Sequence, residues 1–82
     1  MHTYLDDPVE VLVLFREDKA IPYAFIWNNR KVKVKDINLV HESRDGRAKL
    51  VHFAVSDHAN AYKLTFNTET LKWRLQDVYT DA

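Results

Sequence analysis

The run Phe25-Ile-Trp-Asn-Asn-Arg-Lys-Val-Lys-Val-Lys35 constrains the fold of this chain more than any other segment, because it reads as two strands around a two-residue turn. Asparagine tolerates the positive φ that such a turn demands. With Asn28-Asn29 as the loop, Trp27 stands opposite Arg30, Phe25 opposite Val32 and Tyr23 opposite Val34. Directly opposed residues share one side of a sheet. Tyr23, Phe25, Trp27, Val32 and Val34 therefore make a bulky apolar face, and Ala24, Ile26, Lys31, Lys33 and Lys35 make the other. A slip of one residue mixes the two sets, so the pattern selects a single register.

The rest of the chain carries the same signal. Val9, Val11, Val13 and Phe15 alternate with Leu12 and Leu14 on the opposite side, which predicts a central strand covered on both faces. Pro8 and Pro22 are placed at strand starts, where a missing amide donor matters least, and residues 1–7 read as a flexible lead-in. At Asp36 the inward set moves from Val32 and Val34 to Ile37 and Leu39, which predicts a bulge. The turn Ser43-Arg44-Asp45-Gly46 leaves two registers open. A two-residue Asp-Gly loop sets Leu39 against His52, whereas a type I turn with Gly46 in a bulge pairs Leu39 with Val51 and Ile37 with Phe53. The second groups the apolar residues and is the one expected. In the last hairpin, a loop over Thr68–Leu71 sets Phe66 against Trp73 and Leu64 against Leu75.

No segment sustains a 3.6-residue period, although a short helical turn near Asp57 to Ala61 is allowed. The expected fold is all-β: a single antiparallel meander of six to seven short strands, forming a curled sheet or a small, partly open barrel over residues 1–82. With one glycine in the chain, Asn28, Asn29, Asn60 and Asn67 are the expected occupants of left-handed turn positions.

A chain of 82 residues buries roughly 60% of its unfolded surface, so most of its ten aromatic residues are needed for the core. Trp27 and Trp73, each on the apolar side of its hairpin, are expected there. Without cysteine there is no disulfide or thiolate metal site, and a reducing, cytoplasmic setting is expected. The longest apolar run, Val11 to Phe15, is too short to span a membrane, and the acidic start Met-His-Thr-Tyr-Leu-Asp-Asp is unlike a signal peptide. Twelve basic residues balance twelve acidic ones, so the molecule as a whole exerts no long-range pull on a polyanion.

Catalytic patterns are weak. Ser56-Asp57-His58 contains the residue types of a hydrolytic triad, but contiguous residues of an extended chain point to alternate sides and cannot align. His41 and His52 fall on opposite faces in the expected register, which argues against a shared metal ion. The pairs Asp6-Asp7 and Glu17-Asp18 lack the apolar enclosure that makes a carboxyl group a general acid. The expectation is a non-catalytic domain without cofactor, metal or small-molecule ligand, binding another protein or a second copy of itself and no membrane. Val40, Leu50 and His52, grouped on the side away from the core, are the candidate protein interface. The alternative is a nucleic-acid accessory domain that grips phosphates through Arg30, Lys31, Lys33 and Lys35, although edge protection also explains lysines there.

The order Pro8-Val9-x-Val11, Pro22-x-x-Phe25-x-Trp27, Arg30-x-Val32-x-Val34, Tyr62-x-Leu64 and Trp73-x-Leu75-x-x-Val78 resembles that of an uncharacterised bacterial family of small all-β domains. The resemblance spans most of the chain. Members often carry Gly-Arg where this chain has Asn29-Arg30, and a longer Trp-rich middle segment that is missing here. Some are encoded near lesion-bypass DNA polymerases, so the resemblance implies a bacterial origin and suggests an accessory role near nucleic acid. It implies no catalytic residue.

Overall fold

Seven antiparallel strands make up the computed structural model, which describes residues 1–80: β1 (His2–Arg16), β2 (Lys19–Trp27), β3 (Arg30–Lys33), β4 (Asp36–Asp45), β5 (Ala48–Ser56), β6 (Asn60–Asn67) and β7 (Lys72–Thr80). They form one sheet in the order β3-β2-β1-β7-β6-β5-β4. Every connection is a hairpin except that from β3 to β4, which joins the two outermost strands through Val34 and Lys35 alone. In a flat sheet those strands would lie about 29 Å apart, far beyond the roughly 11 Å that so short a link can reach. The sheet must therefore curl until its edges approach. It does not close, because β3 and β4 are not paired with each other.

The concave side of this curl is the core. Phe25, Phe53, Val55, Tyr62, Leu64, Trp73, Leu75 and Val78 are buried together, with Val9, Val11, Val13, Trp27, Val32 and Phe66 packed around them. Phe25 meets Tyr62 edge-on at 5.1 Å, and Trp73 stacks on Phe66 at 4.6 Å. A seven-stranded curl is narrow enough for side chains to fill it. Trp73 lies in the core as expected, while Trp27 is half-buried at its rim and donates its indole N–H to Asp7 Oδ2 at 3.3 Å.

Two hairpin registers match the pattern read from the residues. Phe25 pairs with Val32 and Trp27 with Arg30 around a turn in which Asn28 and Asn29 both have positive φ. Phe66 pairs with Trp73 and Leu64 with Leu75, and the Asn67 carboxamide oxygen accepts the amides of Glu69 and Thr70 inside the loop.

Elsewhere the structure departs from expectation. Residues 2–4 and Asp7 pair with β7, so β1 starts six residues before Pro8 rather than after a flexible lead-in. β1 is central, but Leu12 and Leu14 lie exposed on a convex face that no second layer covers. A bulge where Leu12 pairs with Ala24 and Val13 with Pro22 leaves Tyr23 out of the ladder and half-exposed, removing it from the apolar face.

The β4–β5 hairpin follows neither expected register. Asp45 pairs with Ala48 across a Gly46-Arg47 loop, and Gly46 alone has positive φ, the pattern of a type II′ turn. Val40 then opposes Phe53, and Ile37 opposes Val55 after a bulge that spares Asn38, while Leu39 opposes Ala54 and points outward. The parity change falls at Asn38, not at Asp36. Glycine at the first loop position suits a type II′ turn, and this outweighs the apolar grouping. Asn60 and Asn67 keep ordinary φ; Glu17, Asp18 and Leu71 take the left-handed positions instead. No helical turn forms at Asp57 to Ala61, and among the described residues there is no helix.

Candidate functional site

β2 has a second hydrogen-bonding partner over only part of its length. The four residues of β3 pair with Ala24–Trp27, so the first residues of β2, Lys19 to Pro22, bond to β1 alone. On the far side of the curl, β4 bonds to β5 alone. These two free edges flank an open cleft of about 540 Å³. Lys19, Ala20 and Ile21 of β2 line one wall, Ile37, Val40 and Glu42 of β4 the other, and Val51, Phe53 and Phe66 form the floor. Phe15 stands at the lip, 71% exposed. Across the β4–β5 ladder, Lys49 Nζ pairs with Glu42 Oε2 at 3.1 Å.

The cleft is thus the open seam of the curled sheet: apolar inside, charged at the rim, and bordered by unpaired strand edges. Such edges present alternate N–H and C=O groups that solvent or another strand must satisfy.

The three residues expected to form one interface are split by the register. Val40 faces the cleft, whereas Leu50 opposes Ser43 and His52 opposes His41 on the convex side. His52 is buried and both its ring nitrogens are engaged, Nε2 with Ser43 Oγ at 2.7 Å and Nδ1 with Thr65 Oγ1 at 2.9 Å. It is therefore not a free contact surface. Contrary to the expected opposite faces, His41 and His52 stack at 4.5 Å. Burial, with His41 and Lys63 nearby, lowers the His52 pKa from the ordinary imidazole value.

The Ser43–His52–Thr65 chain has the connectivity of a nucleophile, base and orienter, although the residues are scattered over β4, β5 and β6. Nothing in their spacing marks them before the register is known. A threonine hydroxyl carries no charge with which to stabilise an imidazolium, and the convex face does not enclose a substrate. The chain ties three strands together. Among the described residues, no group of three or more metal-binding side chains comes together.

Asp57, part of the rejected contiguous triad, builds the β5–β6 turn. Its Oδ1 accepts the amides of Ala59 and Asn60, and its Oδ2 accepts the Tyr62 hydroxyl. Burial pushes its pKa up, but these hydrogen bonds and the nearby His58 outweigh that and hold it below the ordinary carboxylate value. Ser56 Oγ instead accepts the Asn38 carboxamide.

Arg30, Lys31 and Lys33 are all exposed on edge strand β3, and Lys35 follows in the link to β4. Lys31 opposes Ile26 and Lys33 opposes Ala24 on the convex side, as the hairpin pattern predicts. Compared with protein-family models, curated proteins and solved structures, the chain matches none. Among the described residues no helix is long and apolar enough to cross a membrane.

Proposed function

We propose that this domain is a non-catalytic binding module that acts through protein contacts, taking an extended segment of a partner protein into the seam between β2 and β4. The observation that carries the reading is the pair of free strand edges flanking an apolar opening. An added strand meets both needs at once. Its backbone pairs with the β4 edge, and its alternate side chains turn inward onto Val40, Val51 and Phe53. All ten residues of β4 are exposed, which leaves the whole strand available to a partner. The convex interface expected from Leu50 and His52 gives way here to the concave one at Val40. For a chain without cysteine, the proposal is of a cytoplasmic module.

A displayed library of extended peptides tests it. Selected peptides should alternate apolar and polar residues, lose binding on N-methylation of alternate backbone amides, and lose binding to Val40→Asp while still binding Leu39→Asp, which points to the opposite face. Equal binding by N-methylated peptides, or equal loss in both variants, overturns strand addition. A homodimer formed through β4 would appear as a doubled mass that Val40→Asp abolishes, and it would identify the partner as a second copy.

A further inference from the structure

Four of the twelve basic residues, Arg30, Lys31, Lys33 and Lys35, fall within six positions that contain no acid. A chain of zero net charge thus concentrates positive charge on one sheet edge. Among the described residues none of the four side chains enters an ion pair; the pairs formed are His2–Asp77, Lys49–Glu42 and Arg74–Asp6. β3 bonds only to β2, so its other edge borders a groove of about 410 Å³ whose far wall is the β5–β6 turn. Arg30, Lys31 and Lys33 line one side, and His58, Asn60 and Tyr62 the other.

The groove has a closed end and an open one. Lys35 N–H donates to the Ser56 carbonyl at 2.8 Å and pins the strand to β5. In the other direction the groove runs into a hollow of about 390 Å³ where Trp27, Arg30 and Tyr62 meet. The acid in the lining, Asp57, already has both carboxylate oxygens taken up by two amides and the Tyr62 hydroxyl. Among the described residues it forms no ion pair with the β3 cations.

We propose that this groove binds a single strand of nucleic acid, with phosphates along Arg30, Lys31 and Lys33 and a base against the half-buried Trp27 at its open end. Lys31 and Lys33 are two residues apart on one strand, about 6.6 Å, a separation that suits successive phosphates of an extended chain. A partly open aromatic ring beside a line of cations is the combination that holds an unpaired base without reading its sequence. Between a strand edge and a turn the groove offers its contacts to one strand, so a single strand should bind more tightly than a duplex. It shares no lining residue with the seam at β4, so the two proposals stand or fall separately.

The test is fluorescence anisotropy of labelled oligothymidylate and oligouridylate titrated at a series of salt concentrations. Binding at low salt should weaken with a log–log slope of about −2, as three single-strand phosphate contacts require. The variant Arg30→Gln/Lys31→Gln/Lys33→Gln, confirmed as folded by circular dichroism, should bind at least about tenfold more weakly. Lys63→Gln/Lys72→Gln, which removes two cations outside the groove, should bind like the parent. In a Trp73→Phe background, Trp27 fluorescence should be quenched on binding. No binding at low salt, no loss in the triple variant, equal affinity for duplex, or equally strong displacement by inorganic polyphosphate would each overturn the proposal.

Discussion

At the scale of single residues, His52 shows how a polar side chain becomes structural. It occupies the convex face of a central strand, a position where water would normally reach it, yet Ser43, Thr65 and the His41 ring enclose it. Its lowered pKa means that the folded state holds the neutral ring and that protonation favours unfolding. As pH falls from the unfolded value near 6.5 towards the lower folded value, the unfolded chain binds more protons, so stability decreases; below the folded value the effect levels off. Chemical denaturation at stepped pH should show this acid loss in the parent and a flatter profile in His52→Gln. An equally steep profile in both would assign the effect to other groups. Leu71 poses the opposite case, a leucine held at φ 61° with 71% of its surface exposed. The left-handed conformation costs a branched side chain about 1 kcal/mol or more, and here little burial offsets it. Leu71→Gly should therefore raise the thermal midpoint, whereas a lowered midpoint would mean that the leucine makes contacts that matter.

The legibility of each element in the sequence followed the strength of its turn. Asn28-Asn29 allowed only one register for β2–β3, and the apolar alternation agreed with it. Phe66 and Trp73 likewise determined β6–β7 from both sides of the loop. For β4–β5 the two sources of information conflicted. Ile37, Leu39 and Val40 are close enough in sequence to fit several parities, and a bulge at Asn38 allowed Ile37 and Val40 to face inward together. Bulges shift parity without a dedicated residue type, which also explains why the loss of Tyr23 from the apolar face was hidden. The seam could not be read in advance, since it arises from the shortness of β3 and from strands that meet only after the sheet curls. The same contrast governs stability. Leu64 in β6 is completely buried, so Leu64→Ala should cost about 2–5 kcal/mol, while Val40→Ala, at a half-exposed side chain of β4, should cost less than about 1 kcal/mol. Denaturant midpoints decide between them, and a large cost at Val40 would show that β4 is covered in solution.

For the molecule as a whole, β1 joins two hairpin groups, β2–β3 on one side and β7 through β4 on the other. The β1–β7 pairing links residues from opposite ends of the described chain, with Arg74 Nε and Asp6 Oδ1 adding a contact at 2.6 Å. One continuous sheet built in this way should unfold cooperatively, but its edges need not share the stability of its centre. The buried side chains concentrate on β2, β5, β6 and β7, whereas β4 has none and hydrogen-bonds along one edge only. Amide exchange should therefore be slowest around Phe25, Phe53, Leu64 and Leu75, with β4 opening locally at much lower free energy. Binding of a strand in the seam should slow exchange in β4 and in Lys19 to Ile21 together, because the added strand lies against both edges. Occupation of the basic groove should instead protect β3 and the Asp57–Asn60 turn. Hydrogen–deuterium exchange read residue by residue distinguishes these patterns, and strong protection of β4 in the free monomer would contradict an open seam.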